Sequence, residues 1–162
     1  MVEQIKKKNN LINYTFGILI LGILVLIISR FTKNVSNSII GYSTINLGMI
    51  FLIILTGIHL LGKKTIWPLV AIITVWCCVT WLIVIDSIYF NQINENHVAK
   101  EYYTYSMVST ILLFVQIFVS CNFLFNDTND DNFALKLMCL NYLQLIIISF
   151  MQVILQFFST DG

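Results

Sequence analysis

His59 has the clearest chemical potential in the chain, because an imidazole close to a membrane can relay protons or bind a ligand. It stands three positions before Gly62, at the expected end of an apolar segment. A structural alternative, an interfacial histidine packed beside Lys63 and Trp67, is the favoured interpretation. Asp86 is its one credible acidic partner, and we expect Asp86 near the opposite membrane face, at headgroup level. The sequence therefore predicts no His–Asp relay.

Uncharged polar side chains recur at helical spacing along the last two apolar stretches of the chain, and we call these two sets the polar stripes. At about 100° per residue, each set gathers on one face of a helix. The first stripe comprises Tyr102, Tyr105, Ser106, Ser109, Gln116 and Ser120. The second comprises Asn141, Gln144, Gln152, Gln156 and Ser159, with Ser149 at its edge. Because lipid tails cannot form hydrogen bonds, both stripes must face protein or trapped water.

The stripes have two interpretations, a water-filled path for an ion or solute and a set of contacts that hold helices together. Solute pathways usually include a charged group inside the membrane, and the sequence places none at mid-depth. The structural interpretation is therefore favoured. It predicts that the helix–helix polar contacts are made by Ser109, Gln116, Ser120, Asn141, Gln144, Gln152 and Gln156.

Other chemistry has little support in the sequence. The four cysteines, Cys77, Cys78, Cys121 and Cys139, lack the Cys-x-x-Cys spacing of redox and zinc sites, and free thiols are expected. No nucleophile with a base, pair of carboxylates or phosphate-binding glycine loop is recognisable. A net charge of +1 argues against nucleic acid as a partner. We therefore predict a protein without catalytic residues, cofactor or metal.

The elements that carry these residues are predicted to be membrane-spanning helices. Hydrophobic residues make up 58% of the chain and charged residues 10%, whereas soluble domains carry about 25% charge. The apolar runs are continuous, which excludes β-barrel alternation. The fold class is thus an all-α, polytopic helical bundle forming one domain over residues 1–162. The predicted spans are residues 11–29, 39–61, 65–89, 102–125 and 133–158, with four spans as the alternative.

Short polar segments separate the spans. Residues 1–10 form a polar head, residues 30–38 a loop, residues 91–101 the longest connector, and residues 126–132 an acidic turn. The first span is expected to be uncleaved, because no small-residue cleavage site follows it. The turn at residues 62–64 is so short that the second and third spans must lie antiparallel and adjacent.

Two further patterns concern the loops and the first two spans. Small residues at helical spacing, among them Gly22 in the first span and Gly41 and Gly48 in the second, predict close helix approach. Asn34-Val35-Ser36 matches a glycosylation acceptor, but it lies so close to the membrane that an unmodified asparagine is expected.

The basic residues predict an orientation. One side of the membrane is expected to hold Lys6, Lys7, Lys8, Lys63, Lys64 and Lys136. The other is expected to hold Arg30, Lys33 and Lys100. Because positive charge is enriched on the inner side, the N-terminus is predicted inside and the C-terminus outside.

These observations favour a non-catalytic structural or assembly subunit of a larger membrane complex. Its expected partners are membrane lipids and other membrane or capsid-type subunits, or further copies of the chain. Frequent Ile, Asn, Phe and Lys indicate an AT-rich genome. Two settings fit that bias: the internal membrane of a large DNA virus particle, where the acidic turn would contact a protein shell, and a protist organellar complex. The alternative function is a small oligomeric channel or transporter whose pore is lined by the polar stripes.

Overall fold

The structure, a computed structural model, describes residues 2–32, 34–61, 66–94, 100–125 and 131–159. These residues form six helices and, within the described ranges, no strand. The helices are α1 (Val2–Thr32), α2 (Val35–His59), α3 (Trp67–Ile88), α4 (Phe90–Asn94), α5 (Lys100–Phe125) and α6 (Asp131–Ser159). Five of them, all except α4, are long and apolar enough to cross a membrane. The predicted all-α bundle with five spans is confirmed, and the structure supports an integral membrane protein.

The helices differ from the predicted spans mainly at their ends. The polar head is helical from Val2 onwards, and the connector after the third span begins with the short helix α4. Most of the predicted loop at residues 30–38 is also helical, because α1 continues to Thr32 and α2 begins at Val35. The predicted turn at residues 62–64 lies outside the described residues, as do residues 126–130 of the predicted acidic turn at residues 126–132. The last two residues of that turn, Asp131 and Asn132, already belong to α6.

Asn34 explains why α2 begins so early. Its backbone is extended, and its side-chain Oδ1 accepts hydrogen bonds from the backbone N–H groups of Ser36 at 3.0 Å and Asn37 at 3.4 Å. An N-cap of this kind satisfies N–H groups that have no partner inside the helix. The glycosylation-like triplet thus contains the residue that starts α2.

We expect Asn34→Ala to lower the free energy of unfolding by about 1 kcal/mol, the usual effect of losing an N-cap side chain. Asn34→Asp keeps an accepting oxygen at the same position and should retain most of the stability. Unfolding by sodium dodecyl sulfate in mixed micelles, followed by tryptophan fluorescence, measures both variants. Equal stability of the two variants would show that the cap contributes nothing.

The bundle is built as a ring of neighbouring helices. The helix α1 packs on α2, α2 on α3, α3 on α6, and α6 on α5, while α5 also touches α1. The chain direction alternates, so the end of α1, the start of α2, the end of α3 and the start of α5 meet at one end of the bundle. We call this the α1–α2 end, and the opposite one the α2–α3 end. The second and third spans are adjacent, as their short turn predicted.

Glycine allows α1 and α2 to touch through their backbones. A Cβ atom on Gly41 would lie 3.0 Å from the backbone nitrogen of Leu26 and 3.2 Å from the carbonyl oxygen of Gly22. A Cβ atom on Gly22 would lie 3.0 Å from the backbone nitrogen of Ile45. The small residues of the first two spans therefore meet at one close crossing. This contact fixes the position of α1 relative to α2.

Candidate functional site

The polar stripes meet where α5 and α6 pack on α3. The Nε2 atom of Gln116 donates to Oδ1 of Asn141 over 2.6 Å, and Nδ2 of Asn141 donates to the carbonyl oxygen of Ala71 over 3.0 Å. The side chains of Gln116 and Asn141 are fully buried. Because Ala71 belongs to α3, Asn141 connects three helices with two hydrogen bonds.

A second contact joins α5 and α6 farther along the same seam. The Nε2 atom of Gln144 donates to both the carbonyl oxygen and the hydroxyl of Ser109, over 3.1 and 3.0 Å. The hydroxyl of Ser120 donates to the carbonyl oxygen of Gln116 over 2.7 Å, within its own helix. Of the residues predicted to make interhelical contacts, the structure thus brings together Ser109, Gln116, Asn141 and Gln144. The hydroxyl of Ser120 instead bonds within α5.

The later residues of the second stripe leave this seam. Gln152 is half-buried and Gln156 is exposed. At 100° per residue, Gln156 lies about 60° past Asn141 around the helix. The buried Met151 and Leu155 lie on the other side of Asn141, so the stripe turns away from the interface. The side chain of Ser159 lies outside the described residues.

We expect Asn141→Leu to destabilise the bundle by about 2 kcal/mol. Two interhelical hydrogen bonds are lost, each averaging about 0.6 kcal/mol in membranes, and the buried amide of Gln116 loses its acceptor. Tyr142→Leu is the matched control, because Tyr142 is 68% exposed on the same helix. Unfolding in mixed micelles should separate the two variants. Equal losses would show that the amide network does not hold the helices together.

His59 and Asp86 lie as far apart as the sequence predicted. His59 is the last residue of α2, at the α2–α3 end, and its side chain is half-buried. Asp86 lies in the last turn of α3, at the α1–α2 end. The structure does not bring the two residues together. Among the described residues, no group of three or more His, Cys, Asp or Glu side chains could hold a metal ion.

Arg30 forms a polar cluster that the sequence analysis did not predict. Its Nε donates to the hydroxyl of Thr110 over 3.1 Å, its Nη1 to Ser38 over 3.4 Å, and its Nη2 to the hydroxyl of Tyr42. The Ser38 hydroxyl in turn donates to Ser29 over 2.9 Å. One guanidinium group therefore joins α1 to α2 and α5. We call these residues, together with Asp86 and Tyr102, the Arg30 cluster.

Asp86 supplies the negative charge of the Arg30 cluster. It was expected at headgroup level, but the structure buries its side chain inside the bundle with 2% exposed. Tyr102 donates a hydrogen bond to Oδ1 over 3.3 Å, while Oδ2 has no hydrogen-bond partner in the part of the chain that the structure describes. Asp86 and Arg30 are close enough for their opposite charges to attract. The guanidinium nevertheless donates to hydroxyl groups, so the two charges are linked without a direct hydrogen bond.

One feature of the sequence could have revealed this cluster. Arg30 and Asp86 each follow a run of isoleucine, leucine and valine, with Ser29 before Arg30 and Ser87 after Asp86. If both residues are helical, alternating chain direction brings them to the same end of the bundle. Because the sequence analysis assigns Arg30 to a loop, it does not predict that Arg30 and Asp86 pair inside the bundle.

A third polar contact, also not predicted, joins α2 to α3. The indole Nε1 of Trp76 donates to Oδ1 of Asn46 over 3.0 Å, and Nδ2 of Asn46 donates to the hydroxyl of Thr80 over 3.0 Å. Trp76 and Thr80 are one helical turn apart, so both reach the same asparagine. Asn46 thus connects α2 to α3 through hydrogen bonds of its side-chain amide, as Asn141 connects α3, α5 and α6.

The described polar groups can thus hold helices together and carry a buried pair of charges. All four cysteines are free thiols, with Cys77 and Cys139 exposed and Cys78 and Cys121 buried. Compared with protein-family models, with curated proteins and with solved structures, the chain matches none.

Proposed function

We propose that this protein is a non-catalytic structural subunit that assembles laterally with other proteins in a membrane. The observation that carries the proposal is the position of Asn141, whose amide connects α3, α5 and α6 instead of facing a water-filled path. When both the oxygen and the nitrogen of an amide are hydrogen-bonded to neighbouring helices, the amide stabilises the bundle. Neither atom is then available to bind a solute.

The surface of the bundle also favours lateral partners. Large apolar side chains are more than half exposed along several helices, among them Ile20, Ile54, Ile111, Phe118 and Val153. Such a surface contacts lipid tails or the helices of other membrane proteins. The helix bounds leave only short segments between successive helices, so these segments offer few residues to soluble partners.

Two settings remain proposals from the composition, the internal membrane of a large DNA virus particle and a protist organellar complex. Both require a membrane protein that binds its neighbours within or close to the bilayer. The orientation with the N-terminus inside is likewise a proposal, because it rests on the distribution of basic residues.

Purification from the native membrane in mild detergent tests the assembly role. We expect other membrane proteins to co-purify with the chain in a fixed ratio. Recovery of the chain alone, or only as copies of itself, would contradict a role in a larger complex.

Reconstitution into liposomes tests the alternative, a channel or transporter. We expect ion and small-solute flux no greater than in protein-free liposomes. The double variant Gln116→Leu/Gln152→Leu should change stability or assembly without changing flux. A flux that appears with the wild-type protein and is abolished by this double variant would establish the pore instead.

A further inference from the structure

A groove runs along the outside of the bundle between α1 and α5. It consists of two cavities with volumes of about 340 and 260 Å³, and Ile23 and Phe114 line both of them. Its lining is almost entirely apolar and includes Phe16, Ile20 and Phe118. The two cavities therefore adjoin at Ile23 and Phe114 and together make up the groove.

The length of the groove matches one leaflet of a bilayer. On α1 it extends from Phe16 to Ile27, and on α5 from Thr110 to Cys121. Eleven residues at 1.5 Å each give about 16 Å, and half of a hydrocarbon core about 30 Å thick is about 15 Å. An extended acyl chain therefore fits along the groove.

Among the described residues that line the groove, only Thr110 has a hydroxyl, and it lies at one end. This hydroxyl accepts a hydrogen bond from Arg30. A guanidinium has five N–H groups, and three of those of Arg30 donate to Thr110, Ser38 and Tyr42. The other two have no acceptor among the described residues. Asp86 balances the charge from inside the bundle but accepts none of these hydrogen bonds. A negatively charged group with two oxygen atoms could accept hydrogen bonds from both of these remaining N–H groups.

We propose that the groove binds one membrane phospholipid, with an acyl chain between α1 and α5 and its phosphate on Arg30. Both parts of the proposal come from one place in the fold: an apolar channel of leaflet length and, hydrogen-bonded to the Thr110 hydroxyl at its end, a cation with two unused donors. This proposal is independent of the assembly role, since a lipid could occupy the groove of a free or an assembled subunit.

Native mass spectrometry of the full chain in detergent tests the proposal, with phosphatidylglycerol and diacylglycerol of the same acyl chains as probes. We expect one phosphatidylglycerol to remain bound, and diacylglycerol, which lacks the phosphate, to bind at least tenfold more weakly. Equal binding of the two lipids would overturn the assignment of the phosphate to Arg30, without any substitution that could disturb folding.

Two matched variants of α1 test the position of the acyl chain. Ile20→Trp fills the groove at a residue that is 58% exposed, whereas Ile28→Trp places the same ring outside the groove at a residue that is 55% exposed. We expect Ile20→Trp to weaken phosphatidylglycerol binding at least tenfold and Ile28→Trp to leave it unchanged. Equal binding by both variants would place the lipid elsewhere and overturn the proposal. Co-purification of partner proteins tests the assembly role separately.

Discussion

Replacing Arg30 with leucine is expected to lower the free energy of unfolding by about 3–5 kcal/mol, the usual effect of removing one member of a buried charge pair. The substitution removes three hydrogen bonds that join α1 to α2 and α5. It also leaves Asp86, which is 2% exposed, without the cation that attracts it among the described residues. Unfolding in mixed micelles, followed by the fluorescence of the three tryptophans of α3, measures the loss.

The second half of this prediction concerns the two charges together. Arg30→Leu/Asp86→Leu should be more stable than Arg30→Leu alone, because the isolated buried carboxylate is then absent. Lys100→Leu is the control, since Lys100 is an exposed cation at the same end of the bundle. We expect it to change stability by less than about 0.5 kcal/mol. Additive effects of Arg30→Leu and Asp86→Leu would show that the two side chains are not coupled.

Replacing Gly41 with leucine is expected to separate α1 from α2 and to destabilise the bundle by about 3 kcal/mol or more. A Cβ atom at this position meets backbone atoms of Leu26 at 3.0 and 3.1 Å, and backbone cannot move aside as a flexible side chain can. The remaining leucine atoms would add to this overlap. The same unfolding assay measures the loss.

Gly57 offers a matched control in the same helix. A Cβ atom on Gly57 meets nothing within 4 Å, so Gly57→Leu should be tolerated. It should even stabilise α2 slightly, because leucine has a higher helix propensity than glycine by somewhat less than about 1 kcal/mol. Similar effects of the two substitutions would mean that the close crossing of α1 and α2 does not determine stability.

The helices were predictable because a span needs only about 20 apolar residues, and this signal is local. The contacts of Gln116, Asn141, Gln144 and Ser109 were predictable for a related reason: buried amides in a membrane must face protein or water. Their partners were harder to foresee. The acceptor for Asn141 on α3 is the backbone carbonyl of Ala71, which no side-chain pattern identifies.

Two predictions about the loop at residues 30–38 were wrong, each for a physical reason. Arg30 was assigned to a loop because a charge commonly marks the end of a span, but the hydroxyls of Ser38, Tyr42 and Thr110 allow it to remain in the helix. The N-cap at Asn34 shortened the loop further. The helix–helix contacts of Gln152 and Gln156 stay predictions, although helical rotation carries Gln156 about 60° past Asn141.

The position of the Arg30 partners also bears on how the chain enters its membrane. Two of the three hydroxyls that bind this cation, those of Ser38 and Tyr42, lie only eight and twelve residues farther along the chain. During synthesis, the hairpin of α1 and α2 therefore already contains two of the three hydroxyl groups that accept hydrogen bonds from Arg30. These groups are present before α3 or α5 has been made. If the first two helices insert as a pair, the Arg30 guanidinium enters the membrane already hydrogen-bonded to α2.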